Sequence, residues 1–152
     1  MLPYAHLLIG LIVSGGLYFT FPEIGLIKAG ILLASSVLID FDHYLYYAIK
    51  EKQYNPLKIY KSIRGENKEY LSLSKEKRNG RYMRFCIFHG FEWVILFLIL
   101  GVFVSEYFIF ISLGIILHLF LDIIDHSRYN GNAERFSVIH DFLKYKKLKK
   151  LK

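Results

Sequence analysis

The chain has 152 residues and a formal net charge of +7; 54% of it is hydrophobic and 17% aromatic. That is enough for one compact domain, and too apolar for an ordinary soluble protein of this size. The single cysteine, Cys86, excludes an internal disulfide framework and a cysteine-based metal site. Lying beside an apolar run, it reads as a small packed residue.

Leu2 to Phe21 is almost wholly apolar, broken by His6, Ser14 and Thr20. At ~1.5 Å per residue it matches a ~30 Å hydrocarbon core and is the first predicted span. No basic residue precedes the run and no small-x-small site follows it, so a removable signal peptide fits poorly. Phe21-Pro22-Glu23 breaks the helix, because a residue before proline avoids helical geometry. Ile24 to Ile39 is the second span, continuing through Asp40-Phe41-Asp42-His43 into Tyr44–Tyr47, where tyrosines suit a membrane interface. The segment from Lys50 to Arg84 carries turn signals at Asn55-Pro56, Arg64-Gly65-Glu66-Asn67 and Asn79-Gly80. Short helices are predicted between them, around Leu57–Ile63 and Tyr70–Arg78. Phe85–Val104 and Tyr107–Ile124 are spans three and four, and Ser105-Glu106 is short enough to force an antiparallel hairpin. In the tail, Phe136, Ile139, Phe142 and Leu143 at helical spacing precede Lys146, Lys147, Lys149 and Lys150. That pattern predicts a basic amphipathic helix on anionic lipid headgroups rather than a nucleic-acid binder.

Charge fixes an orientation. Segment 50–84 holds 11 Lys and Arg against 4 Asp and Glu, and the tail 127–152 holds 8 against 2. Every basic residue except Lys28 therefore falls on one side of an alternating four-span layout. The positive-inside rule puts both termini, the long loop and the tail in the cytoplasm. The expectation is an all-α protein of the cytoplasmic membrane, a single transmembrane domain over 1–152. Its four spans lie at about 2–21, 24–47, 85–104 and 107–126, with a cytoplasmic helical loop at 50–84. Small residues (Gly10, Gly15 and Gly16, with Ser14, Ser35 and Ser36) are predicted to serve close helix packing.

The same side carries the chemistry. His6 starts span one; Asp40, Asp42 and His43 end span two; His89 and Glu92 start span three; His118, Asp122, Asp125 and His126 end span four. A charged residue in the middle of a bilayer costs about 2.5–3.5 kcal/mol even on lenient scales, so such groups need partners or a function. His118, Asp122, Asp125 and His126 form one helical stripe; Asp40 with His43, and His89 with Glu92, are i, i+3 pairs. Imidazole and carboxylate donors from separate helices suit Zn²⁺, with Mn²⁺ or iron as further choices, and their number suits one or two ions. The predicted metal ligands are His6, Asp40, His43, His89, His118 and Asp122. Glu92 and Asp42 are the candidate proton acceptors. On a regular helix Asp42 points about 200° from Asp40, so it is also a candidate to orient a ligand or to reach the metal from a helix end. Asp125, His126, Arg84 and Arg128 are candidates for an outer ring or for substrate contact, and His140 reads as a surface residue.

These residues resemble the family of membrane-bound metal-dependent hydrolases. The matching segments are His6-Leu-Leu-Ile-Gly10, Asp40-Phe-Asp-His43 and His118-Leu-Phe-Leu-Asp122, with His89 fitting the family's central histidine. The resemblance covers roughly 2–43 and 85–126. The family in turn resembles zinc-dependent phospholipases C, all-helical enzymes with His and Asp around a zinc cluster. Two departures stand out. Ile39 occupies the place of a usual proline, and Arg84-Phe-Cys-Ile-Phe-His89 lacks the family's His-Arg pair, with Arg84 one residue out of register. The resemblance implies hydrolysis at the cytoplasmic membrane face, on a phosphoester or lipid-like substrate. Two other classes fit the same residues: a proton or divalent-cation relay, and a non-catalytic membrane scaffold whose polar groups pair with one another.

Overall fold

The computed structural model describes residues 3–79, 86–128 and 137–150. All regular structure there is helical: α1 (Pro3–Thr20), a 3₁₀ turn (Pro22–Ile24), α2 (Gly25–Leu38), α3 (Phe41–Glu51), α4 (Pro56–Ser72), α5 (Lys75–Asn79), α6 (Phe91–Phe103), α7 (Tyr107–Arg128) and α8 (Val138–Lys150). Pro3 opens α1, where its missing N–H costs nothing. Phe21 leaves helical geometry ahead of Pro22, and Gly25 at φ 73° completes the reversal into α2, a conformation that favours glycine.

α2 lies between α1 and α7, α6 packs along α7, and α3 packs on α4. Small residues set the spacing. A Cβ on Gly114 would strike the Ser35 hydroxyl and the Leu32 carbonyl, and one on Gly101 would strike Ile109. A Cβ on Gly10 would lie 2.6 Å from the Ser36 hydroxyl. Gly15 and Gly16 face open space, so the predicted packing role holds for Gly10 and not for them. Ser35 and Ser36 donate back to carbonyls of their own helix, while Ser112 donates across to the Val94 carbonyl of α6 at 3.1 Å. The apolar core is Ile39, Ile115 and Leu119, flanked by Trp93, Val94, Phe97 and Ile111.

Two helical stretches among the described residues are long and apolar enough to cross a membrane: Pro22–Glu51 and Tyr107–Asp125. Tyr4–Thr20 and Phe91–Phe103 are apolar but shorter. The third predicted span therefore starts late, at Phe91. Backbone from Cys86 to Gly90 is not helical. It is held instead by Phe88 N–H donating to Asp42 Oδ2 (3.1 Å) and by the Trp93 indole donating to the Ile87 carbonyl (2.7 Å).

Segment 50–79 also differs from expectation. Asn55 caps α4 by accepting from Leu57 and Lys58 N–H, with Pro56 at the first helical position. The helix then runs straight through Arg64-Gly65-Glu66-Asn67. Contacts with α3 override the turn signal: Ile59 is buried with Tyr47 and Ala48, Ser62 donates to Glu51 (2.8 Å), and Lys50 pairs with Glu66 (3.3 Å). In the tail, α8 starts at Val138; Ile139, Phe142 and Leu143 are exposed on it, and Phe136 lies outside the described residues.

Candidate metal centre

The decisive local feature is a break in the second span. The helix predicted to run continuously through Asp40 stops at Leu38 and restarts at Phe41. Between them the hydrogen bonds tighten to i, i+3: Asp40 N–H to the Val37 carbonyl, Asp42 N–H to Ile39, and His43 N–H to Asp40. Tightening changes the angular advance per residue, and such mid-helix stretches often mark functional positions. It brings Asp42, expected on the far side, into the same pocket as Asp40 and His43.

Three other elements reach that pocket. His6 comes from α1 and is fully buried, its ring stacked on His118 from α7 with centroids 4.0 Å apart. His118 is fully buried too, and Asp122 follows one turn later. His89 enters from the non-helical segment before α6, and His43 stacks on it at 4.5 Å. His89 is thus not on a helix face with Glu92, and the predicted i, i+3 pair does not form.

Proton positions follow from the partners. His118 Nδ1 lies 2.8 Å from the Ser36 carbonyl, which only accepts, so Nδ1 carries the hydrogen. His89 Nδ1 lies 3.1 Å from Asp42 Oδ2 and is fixed in the same way by a carboxylate. In their neutral forms both Nε2 atoms present lone pairs, and they lie 3.2 Å apart. Two neutral imidazoles do not meet in this manner unless a cation or a proton lies between them. An imidazole whose far nitrogen is held by a carbonyl or carboxylate is the usual arrangement of a metal-ligating histidine.

Carboxylates surround the same point. Asp40 Oδ1 lies 3.5 Å from His89 Nε2 and 3.8 Å from His118 Nε2. Asp122 Oδ2 lies 3.4 Å from His118 Nε2 and 3.9 Å from His89 Nε2. A tetrahedral zinc shell with ~2.0–2.1 Å bonds has donor–donor edges of about 3.3–3.4 Å. The five donor–donor distances run from 3.2 to 3.9 Å, near such edges. His6 Nε2 is 3.3 Å from Asp122 Oδ1 but without hydrogen-bond geometry, and neither His6 ring nitrogen makes a hydrogen bond. Asp40 Oδ2 and Asp42 Oδ1 are likewise buried without one. Buried polar atoms left in this state are costly, and a bound ion is one way to satisfy them. These buried groups can hold a metal ion: His6 with His118 and Asp122, and Asp40 with His89 and His118.

The remaining sequence candidates fall elsewhere. The Glu92 carboxylate accepts from the Ser137 hydroxyl (2.5 Å) and from Val138 and Ile139 N–H (3.1 and 3.2 Å), so it clasps the N-terminus of α8. Asp125 is half-buried, one turn beyond Asp122. Arg84 and the side chains of His126 and Arg128 lie outside the described residues. His140 is exposed on α8, as expected. Two members of the pocket leave no mark in the linear spacing. One is Cys86, expected to pack and to take no part in a metal site; its Sγ lies 3.0 Å from His43 Nδ1, in a group with Asp42 and His89 that could hold an ion. The other is the Ser36 carbonyl, which carries no side-chain signal at all. No protein-family model, curated protein or solved structure matches the chain.

Proposed function

We propose that the protein is a membrane-embedded, metal-dependent hydrolase whose centre is built from His89, His118, Asp40 and Asp122, with His6 beside them. The observation that carries this reading is the pair of imidazoles pinned at Nδ1, with their Nε2 atoms 3.2 Å apart and an oxygen of Asp40 and one of Asp122 within 3.9 Å of both. The segments resembling membrane-bound metal-dependent hydrolases are the ones that converge there.

The distribution of polarity supports embedding in a bilayer by four spans. His6, Ser14, Ser36, Ser112, His118 and Asp122 are buried, while Leu8, Ile12, Leu26, Ile99, Phe103 and Phe120 are exposed. An outward apolar belt around a polar interior belongs in lipid rather than water. α6 supplies 13 helical residues, about 20 Å of rise, which is less than the ~30 Å core. The non-helical Cys86–Gly90 stretch completes the crossing, as is tolerated where backbone lines a protein-enclosed cavity. With the basic segments inside, the site faces the cytoplasm, and the lysine- and arginine-rich loop and tail draw anionic headgroups toward it.

A bound divalent metal supplies Lewis acidity there and makes water a nucleophile near neutral pH. The Ser36 carbonyl and Asp42 hold His118 and His89 in the required tautomer. Asp40 would help to hold the ion through Oδ1, and its Oδ2, which makes no hydrogen bond, would be the group to accept a proton from water. Glu92, engaged with α8, is left out of the chemistry. The substrate class is a phosphoester at the membrane face.

Metal analysis of the tag-free protein in detergent tests this directly. Stoichiometric metal is expected, lost in His118→Ala and Asp122→Asn, and chelator-sensitive phosphoester hydrolysis is expected in mixed phospholipid micelles. Metal retained in both variants would defeat the site. Ion flux in sealed vesicles that disappears with His118→Ala, without hydrolysis, would replace the enzyme by a transporter.

A further inference from the structure

We infer that Cys86, His43 and Asp42 form a second, thiolate-containing metal position at the rim of the pocket. It rests on reading the pocket as a metal centre, but not on hydrolysis.

One donor atom from each of Asp42, His43, Cys86 and His89 lies within 4.8 Å of every other. Cys86 Sγ is 3.0 Å and Asp42 Oδ1 is 3.1 Å from the same atom, His43 Nδ1. A thiol–imidazole hydrogen bond would use that nitrogen and leave the carboxylate oxygen with nothing. That is the state of Asp42 Oδ1: buried, in a side chain only 7% exposed, and without a hydrogen-bond partner. Three donor atoms of different type, one of them a buried carboxylate oxygen that makes no hydrogen bond, lie within reach of a single cation.

The two positions are joined through Asp42. Its Oδ2 holds His89 Nδ1 and the Phe88 N–H, while Oδ1 turns toward His43 and Cys86. The inner position is walled by fully buried His6 and His118, whereas the His43 side chain is 20% exposed and Cys86 is half-buried. The rim position is therefore the one solvent reaches. Three protein donors with a fourth place open toward solvent is the stoichiometry of a reactive rather than a structural zinc site. A thiolate among the donors selects Zn²⁺, or Co²⁺ as its spectroscopic substitute, over Mg²⁺ or Mn²⁺.

Co²⁺ titration of the metal-free, tag-free protein in detergent tests the inference. Wild type should take up two equivalents and develop a thiolate-to-cobalt charge-transfer band. Cys86→Ser should lose that band and one equivalent while keeping the other, with helix content unchanged by circular dichroism. The double variant His118→Ala with Asp122→Asn should keep the band and lose the inner equivalent. Zn²⁺ should also slow alkylation of Cys86 in the wild type and in that double variant. Wild-type protein that binds cobalt with no thiolate band, or Cys86→Ser that binds as much as wild type, would overturn the rim position and leave the inner one standing. Uptake of no metal by any form would overturn both.

Discussion

The two ends of one helical bundle solve the problem of buried polarity in opposite ways. At the end where α1 turns into α2 and α6 into α7, the described residues form one ion pair. Lys28 Nζ lies 2.7 Å from Glu106, near the Tyr107 and Phe110 rings, with the Glu106 side chain well exposed. Glycine-mediated packing does the rest. At the other end, four imidazoles and three carboxylates crowd together, and several of their atoms lack hydrogen-bond partners. One end is closed by an ion pair, and the other keeps buried groups that can hold a metal ion. A protein folds around such unsatisfied groups when something else makes up the deficit.

Adding metal to the stripped protein separates the ends most sharply. At a hundredfold excess over Kd a single site should stabilise by about 2.7 kcal/mol, and a second ion by more. The gain, read as a rise in unfolding temperature in detergent, should shrink in His118→Ala, which keeps only the rim position. A gain identical to wild type would mean that the inner groups merely pair with one another. Gly114→Leu attacks the packing instead, by forcing α7 off α2. A loss of about 1–3 kcal/mol is expected whether or not metal is present. Equal stability would show that α2 and α7 leave room for a side chain between them.

Asp42→Asn keeps the shape of the side chain and removes its charge. Metal affinity at the inner position should fall about 10- to 100-fold, because the carboxylate orients His89 without itself holding that ion. Unchanged affinity in a competition titration would remove Asp42 from the site. Ser137→Ala removes the hydroxyl that accepts from His140 N–H at the start of α8 and donates to Glu92. Helix-cap losses run about 1 kcal/mol, so faster hydrogen exchange confined to α8 is the expected sign. Lys28→Met should do least, within about 1 kcal/mol, since its partner is solvated. A larger effect there would mean that the outer end is not the self-sufficient one.

Much of the site is legible in the linear sequence, for a specific reason. His118 and Asp122 lie on an uninterrupted helix, where i, i+4 spacing decides which side chains share a face. His6 and Asp40 stand out because buried ionisable groups in apolar runs are expensive wherever they occur. The departures share a cause as well. Helical geometry misplaces Asp42, His89 and Glu92 because the chain around them is not regularly helical. Cys86 reads as packing because nothing in the linear pattern brings it to His43, 43 residues away. Gly65 marks a turn by composition, but the face of α4 that meets α3 keeps it helical.

Composition and periodicity alone determined that this chain is helical, that its outside is apolar, and which residue types are gathered at one end. Those properties are local, because each depends on residues within one or two turns of each other. Tertiary structure decided which donors face one another, that Nδ1 carries a hydrogen in His118 and His89, and that a lone thiol joins the cluster. Those are set by a break after α2, an unwound segment before α6 and a backbone carbonyl at Ser36, and they arise only when distant segments pack together.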